Sequence, residues 1–90
     1  KNINIDIAFL ASSGFSLEAG FTCGNFNECE LKRAVVNKAR QKIMLMDTSK
    51  INRSMPFTFA SLKDINILIC ESVVPEDIKR AAEENNVKLI

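Results

Sequence analysis

Apolar residues are grouped into short runs along the chain, separated by polar or turn-forming residues. The first run, Ile5–Ala11, is almost continuously apolar after Asp6, as expected of a strand buried on both faces of a parallel sheet. Apolar runs of this length that are bounded by turn signals predict core strands. Further strands are therefore predicted at residues 42–46, 65–70 and 87–90, with a brief strand or irregular edge at Phe57–Ala60.

Residues 28–40 repeat apolar side chains at helical spacing. The apolar stripe consists of Leu31, Val35 and Ala39. Basic residues close the segment, where they suit the negative end of a helix dipole. Asn27 is predicted to cap the start of this helix, with Glu30 reaching back to complete a capping box. A second helix is predicted from Pro75, which suits the first helical position, to Glu84.

Residues 12–26 carry all three glycines of the chain and little periodicity. They predict a long loop with at most one turn of helix around residues 17–19, and loops of this length in compact domains are usually functional. The element order is then strand, helix, strand, strand, helix, strand. This order predicts one α/β domain over residues 1–90, built on a mostly parallel sheet with flanking helices.

Charge balance and cysteine content exclude several classes of function. Twelve basic against eleven acidic residues leave a formal net charge of +1, so this chain carries no large electrostatic footprint for nucleic acid. Three cysteines without CxxC spacing, in a chain with no histidine, support neither a disulfide framework nor a zinc site. No apolar stretch reaches membrane-spanning length, and no nucleotide-binding glycine motif occurs. A cytoplasmic protein without a cofactor is expected.

Polar side chains follow the predicted strands at their carboxyl ends. In a mostly parallel sheet these ends share one edge, where ligands bind and where the following helices begin. Hydroxyls, exposed amides and lysines at such an edge suit a polyhydroxylated or phosphorylated small molecule. The candidate ligand-binding residues are Ser12, Ser13, Gly14, Thr22, Asn25, Glu28, Lys32, Asp47, Ser49 and Lys50, with Thr48, Glu71 and Ser72 beside them.

Several of these residues also have a simpler structural interpretation. Glu28 and Lys32 lie four apart and can form an exposed helix pair worth about 0.2–0.5 kcal/mol. Asp47 can form a turn with the residues that follow it. Cys23 and Cys29 flank the helix start, but with no histidine to act as base a cysteine nucleophile is not expected. From these residues alone, both interpretations of Glu28 and Asp47 stay open.

The order of segments resembles the C-terminal sensor domain of DeoR-family transcriptional regulators over essentially all 90 residues. Three motifs carry the resemblance: the ASSG turn at residues 11–14, the spacing T-x-x-N-x-x-E-x-x-x-K from Thr22 to Lys32, and DTSK at residues 47–50. The resemblance implies the α/β fold type of ribose-phosphate isomerases and CoA-transferases. It also implies a phosphorylated sugar or related metabolite as effector, and a winged helix-turn-helix ahead of the sensor in a repressor of sugar metabolism.

The resemblance also implies roles by position. The residues carried over are Ser12, Ser13 and Gly14 as lining of the effector site, Glu28 and Lys32 as its helix-borne pair, and Asp47 with Lys50 as its closing edge. Ala11 departs from the family, which usually has glycine there. The family's sensor domain is nearly twice as long, so this chain is expected to be the C-terminal part of a larger domain.

Two other functions are compatible with the residues. An enzyme fragment of the isomerase or CoA-transferase type would use Glu28 or Asp47 as base and Lys50 as electrostatic stabiliser. Those enzymes resemble one another in an acidic DGADE-like segment, whereas this chain has LASSG, which favours sensing over catalysis. An interaction module would use an exposed sheet edge to bind a partner chain, and such an edge also favours a homo-oligomer.

Overall fold

The computed structural model describes residues 4–90, which form two β-sheets and two α-helices. In chain order the elements are β1 (Ile5–Ala11), β2 (Gly14–Ser16), β3 (Gly20–Cys23), α1 (Phe26–Lys38), β4 (Ala39–Met46), β5 (Phe57–Ala60), β6 (Ile67–Cys70), α2 (Glu76–Glu84) and β7 (Lys88–Leu89). Single 3-10 turns lie at Thr48–Lys50 and Leu62–Asp64.

The predicted α/β class with a mostly parallel sheet is confirmed. Four strands form the parallel sheet A in the order β1-β4-β6-β7. A smaller antiparallel sheet B has the order β2-β3-β5. The chain thus makes a parallel sheet, as predicted, and adds a second sheet that the apolar pattern did not indicate.

The predicted loop over residues 12–26 is wrong, because most of it forms the β2–β3 hairpin. Three residues connect the two strands, and Ser16 pairs with Gly20 across the turn. Gly20 has φ +79°, the left-handed conformation that closes a three-residue hairpin loop. The Ser16 hydroxyl accepts from the Ala19 amide at 3.0 Å, which orders a turn rather than a helix at residues 17–19.

Helix α1 begins two residues earlier than predicted, and its cap is Asn25 rather than Asn27. The Asn25 side chain accepts from the Glu28 amide at 2.9 Å, as an N-cap does. The predicted stripe is also wrong at Leu31, which is 68% exposed. The buried side chains of the helix are Cys29 and Val36, because α1 packs mainly against β5.

Helix α2 matches its prediction closely. It starts one residue after Pro75, carries acidic residues in its first turn, and ends at Glu84 with Asn85 as its C-cap. Ile78 and Ala82 bury one face of it. Within residues 4–90, neither α-helix is long and apolar enough to cross a membrane.

The core lies between sheet A, sheet B and the two helices. Met44 and Leu68, from the central strands of sheet A, are fully buried. Phe21 contributes from sheet B and stacks on Phe15, with ring centroids 4.5 Å apart. This single core ties both sheets into one unit.

Strand β1 is not buried on both faces, contrary to the prediction. Among residues 4–90, it pairs only with β4 in sheet A. Ala8 and Leu10 point into the core, whereas Ile7 and Phe9, on the alternate face, are 52% and 65% exposed. Both faces of β1 are therefore apolar, but residues 4–90 bury only the face that carries Ala8 and Leu10.

Candidate functional site

The carboxyl ends of β1, β4 and β6 lie side by side. Their parallel register places Ala11 opposite Leu45 and Met46 opposite Cys70. The segments that leave these strands therefore meet at one edge, as the sequence predicted from the strand order. We call this edge the carboxyl rim: residues 11–14, 47–50 and 71–72.

Ser12, Gly14 and Thr22 are brought together in a buried hydrogen-bond network. The Ser12 hydroxyl accepts from the Thr22 amide at 3.2 Å and from the Gly14 amide at 3.4 Å. The Thr22 hydroxyl donates to the Gly14 carbonyl at 3.2 Å and accepts from the Met55 amide at 2.9 Å. Since Ser12 and Thr22 are 9% and 0% exposed, their polar groups tie β1 to the hairpin from inside the fold.

The helix-borne pair lies over the end of β1. The Lys32 ammonium lies 3.3 Å from a Glu28 carboxylate oxygen and donates to the Ala11 carbonyl at 2.6 Å. It also lies 5.0 Å from the centroid of the Phe59 ring, within the range of a cation–π contact. Lys32 thus anchors α1 to the rim, and Glu28 offsets its charge.

A second cluster fixes the segment after β4. An Asp47 carboxylate oxygen accepts from the Ser49 amide at 3.1 Å and caps the 3-10 turn. The two oxygens of Glu71 accept from the Thr48 amide at 3.0 Å and from the Thr48 hydroxyl at 2.8 Å. These bonds connect the ends of β4 and β6. The role of Glu71 was not predicted, although its position directly after a core strand placed it on the rim.

Three of the predicted residues have side chains that make no hydrogen bond or ion pair within residues 4–90. The hydroxyls of Ser13 and Ser49 make no hydrogen bond to the rest of that segment. Lys50 is half-buried, and no carboxylate of residues 4–90 lies within ion-pair distance of its ammonium. Residues 50–53 pack against β2, where the Asn52 amide donates to the Phe15 carbonyl at 2.7 Å. The groups available to a ligand are therefore on the loops after β1 and β4.

The cysteines do not form part of this site. Cys23 and Cys29 are buried, and burial, with a smaller effect of Cys29, raises the pKa of the Cys23 thiol. A raised pKa keeps a thiol neutral and unreactive. In the part of the chain that the structure describes, no group of three or more acidic or cysteine side chains could hold a metal ion.

Comparison with known proteins decides the family. The sequence profile described as the DeoR C terminal sensor domain matches residues 1–72, four-fifths of the chain. The chain belongs to this family. The matched region includes all ten predicted ligand-binding residues and ends within the rim, at Ser72.

Relatives of this DeoR sensor domain are transcriptional regulators. The regulator GlpR of Haloferax volcanii is 30% identical over 90 residues, which are 100% of this chain and 35% of that protein. A putative aga operon transcriptional repressor of Escherichia coli O157:H7 is 28% identical over 90 residues, and these are 34% of its length. The glycerol-3-phosphate regulon repressor of Haemophilus influenzae is 27% identical over 90 residues and 35% of its length. The chain spans about a third of the length of these curated relatives.

The hollows of the sensor domain do not coincide with its free polar groups. A shallow groove of about 390 Å³ adjoins the rim and is lined by Leu45, Met46, Asp47, Ile69 and Glu71. Its two carboxylates disfavour an anion there. Another hollow, of about 320 Å³, lies at the opposite end of the strands, between the hairpin turn and the end of α2. Neither hollow is lined by Ser13, Ser49 or Lys50.

Acid should destabilise the sensor domain by weakening the hydrogen bonds between Glu71 and Thr48. Hydrogen bonds from the Thr48 hydroxyl and amide hold the pKa of Glu71 below its ordinary value of 4.5. Because the unfolded chain binds this proton more tightly, the stabilising contribution is present above the ordinary pKa and is lost as pH falls through the folded pKa. Between pH 7 and about pH 3, the Tm of the Glu71→Gln variant should therefore fall less steeply than that of the wild type.

The control for this comparison is Glu18→Gln, which removes one carboxylate from the exposed turn of the β2–β3 hairpin, away from the rim and from both helix starts. Its Tm should follow the wild-type pH profile. Parallel profiles for all three proteins would show that the Thr48 contacts do not persist in solution.

Proposed function

We propose that this chain is the effector-binding part of a cytoplasmic DeoR-type transcriptional repressor, and that its effector is a phosphorylated sugar or a related phosphorylated metabolite. The observation that carries the proposal is the Lys50 ammonium, which has no ion-pair partner within residues 4–90 and shares the rim with the hydroxyls of Ser13 and Ser49. A phosphate requires positive charge and donors, and a sugar requires donors and acceptors. This rim supplies both.

The proposal gives the ten predicted residues two roles. Lys50, Ser13 and Ser49 contact the ligand, since their polar groups are free within the described segment. The others position them. The supporting residues are Ser12, Gly14, Thr22, Asn25, Glu28, Lys32 and Asp47.

A regulatory role fits the rim better than catalysis does. The hydrogen bond from the Ser49 amide is the largest effect that lowers the pKa of Asp47, which makes its carboxylate a weaker base. Glu28 is paired with Lys32. The relatives named above are regulators and repressors, and one is named for the glycerol-3-phosphate regulon. These observations favour binding without turnover.

The proposed role requires two further elements. The effector must bind two states of the protein with different affinity, since equal affinity would shift no equilibrium. DNA contact falls to a helix-turn-helix outside these 90 residues, in keeping with the net charge of +1.

Thermal denaturation of the intact protein tests the ligand class. A ligand that prefers the native state raises Tm, so one member of a panel of sugar phosphates should raise it where the free sugar does not. Lys50→Ala should weaken that binding roughly 10- to 100-fold, the loss of a charge-assisted hydrogen bond, with Tm in the absence of ligand nearly unchanged.

Lys63→Ala is the matched control, since it removes the same charge from the 3-10 turn after β5, beside the hollow at the far end of the strands. It should leave the ligand-induced shift intact. Stabilisation by no sugar phosphate, or equal weakening by both substitutions, would contradict the proposal. Conversion of the sugar phosphate to product would instead identify an enzyme.

A further inference from the structure

One face of sheet A is apolar and uncovered within residues 4–90. The strand register places odd-numbered side chains of β1, β4 and β6 on this face, which we call the outer face. Its large apolar members include Ile7, Phe9, Ile43, Leu45, Ile67 and Ile69, with Gln41 beside Ile7. Phe9 is 65% exposed, Ile7 52% and Leu45 43%. Ile43 lies between Phe9 and Ile67 on this face and is only 8% exposed, and none of the six belongs to the core cluster on the opposite face.

Both helices and sheet B pack on the opposite face of sheet A. Met44 and Leu68 point to that side and are fully buried, in one core with residues of both helices and of sheet B. Parallel sheets occur almost only with both faces covered, and their strands are apolar on both sides for that reason. The outer face is as apolar as a buried face of a parallel sheet, yet no element of residues 4–90 packs on it.

The strand order explains why no helix of residues 4–90 packs on the outer face. The chain steps from β1 to β4, β6 and β7, always in the same direction across the sheet. Right-handed crossovers that step in one direction all lie on one face. Covering the outer face requires crossovers that step the other way, and these need parallel strands beyond β1, whose second edge is free within residues 4–90.

We infer that the outer face and the free edge of β1 form an intramolecular docking surface for a second α/β segment of the same protein, outside these 90 residues. That segment adds parallel strands to β1 and lays helices over Phe9, Ile7 and Leu45. The relatives provide ample chain for it, since this chain spans only 34–35% of their lengths. The inference is independent of the proposed effector.

A second copy of the chain suits this surface less well. Two outer faces packed together would stack two parallel sheets without helices between them, an arrangement that parallel sheets avoid. Two β1 edges related by a two-fold axis would pair antiparallel, which would leave the outer faces bare. A segment with its own helices covers the face and extends the sheet at once.

The test compares two phenylalanines of similar exposure in this chain, Phe9 at 65% and Phe26 at 56%. In the intact protein, Phe9→Ala should lower Tm by roughly 6 to 20 °C, as expected for a buried phenylalanine. Phe26→Ala should lower it by about 4 °C or less. Hydrogen exchange of the wild type adds a measurement that needs no variant, because added strands would protect the β1 amides that face away from β4.

Equal, small Tm shifts for both substitutions, with rapid exchange of those amides, would overturn the inference. So would a Phe9→Ala loss that depends on protein concentration and accompanies dissociation of a dimer, because the cover would then be a second copy. If Phe9→Ala fails to fold, exchange in the wild type decides alone: protected β1 edge amides in the monomer support the inference and unprotected ones overturn it.

Discussion

Substituting Phe21 by alanine should lower the free energy of unfolding of the intact protein by about 3–5 kcal/mol, the usual cost of removing a buried phenylalanine. Phe21 is 0% exposed and lies between the rings of Phe15 and Phe59, at centroid distances of 4.5 and 6.4 Å. The three rings join the hairpin to β5, so the cavity that Phe21→Ala leaves between them would weaken sheet B itself. Urea unfolding followed by circular dichroism measures the loss.

Phe26→Ala serves again as the control, since it removes the same side chain from a position that is 56% exposed. Its edge-to-face contact with Phe57, at 5.6 Å, limits the expected cost to about 1 kcal/mol. Similar losses for the two variants would mean that the hairpin is not packed in solution as described.

Gly14→Ala should destabilise the protein by about 1–3 kcal/mol, because there is no room for the added methyl group. A Cβ on Gly14 would collide with the Arg53 carbonyl oxygen and lie 3.0 Å from the Thr22 hydroxyl oxygen. Backbone atoms cannot rotate away, so residues 50–53 must move. Since Lys50 begins that segment, binding of the proposed effector should weaken together with stability. Titrations with any sugar phosphate that stabilises the wild type would show this.

Gly24→Ala is the matched control for this substitution. Its Cβ would meet only the terminal methyl of Met55, at 3.1 Å, which is the far end of a flexible side chain. The stability and the affinity of this variant should stay close to those of the wild type. If Gly14→Ala were equally harmless, the packing of residues 50–53 on the hairpin would be disproved.

The apolar pattern was sufficient to predict that sheet A and both helices exist. It did not identify the buried face of α1, since Leu31 of the predicted stripe is exposed. It was insufficient for sheet B. Strands β2 and β3 have three and four residues, too few to show a period, and their turn is closed by Gly20 without an NG or DG pair. Two asparagines near one helix start also look alike in sequence, and only the structure shows that Asn25 makes the capping hydrogen bond.

The candidate site shows the same division. Strand order alone indicated that the residues after β1, β4 and β6 share an edge, because parallel strands end together. Which of them are free to bind depends on contacts between distant segments. Ser12, Ser13 and Thr22 all carry a hydroxyl, so residue type alone predicted the same role for each. The hairpin buries Ser12 and Thr22, however, and leaves Ser13 half-exposed.

The amino-acid sequence by itself determined the α/β class, the three rim segments and the family, all of which follow from local apolar periods and short motifs. Tertiary structure alone decided the hairpin, the internal use of Ser12, Thr22 and Lys32, and the bare outer face of sheet A. The physical reason is the distance along the chain over which each feature is determined. A period records that a side chain is apolar, whereas its burial and its hydrogen-bond partners depend on segments far away in the chain, and for the outer face on a cover that residues 4–90 do not provide.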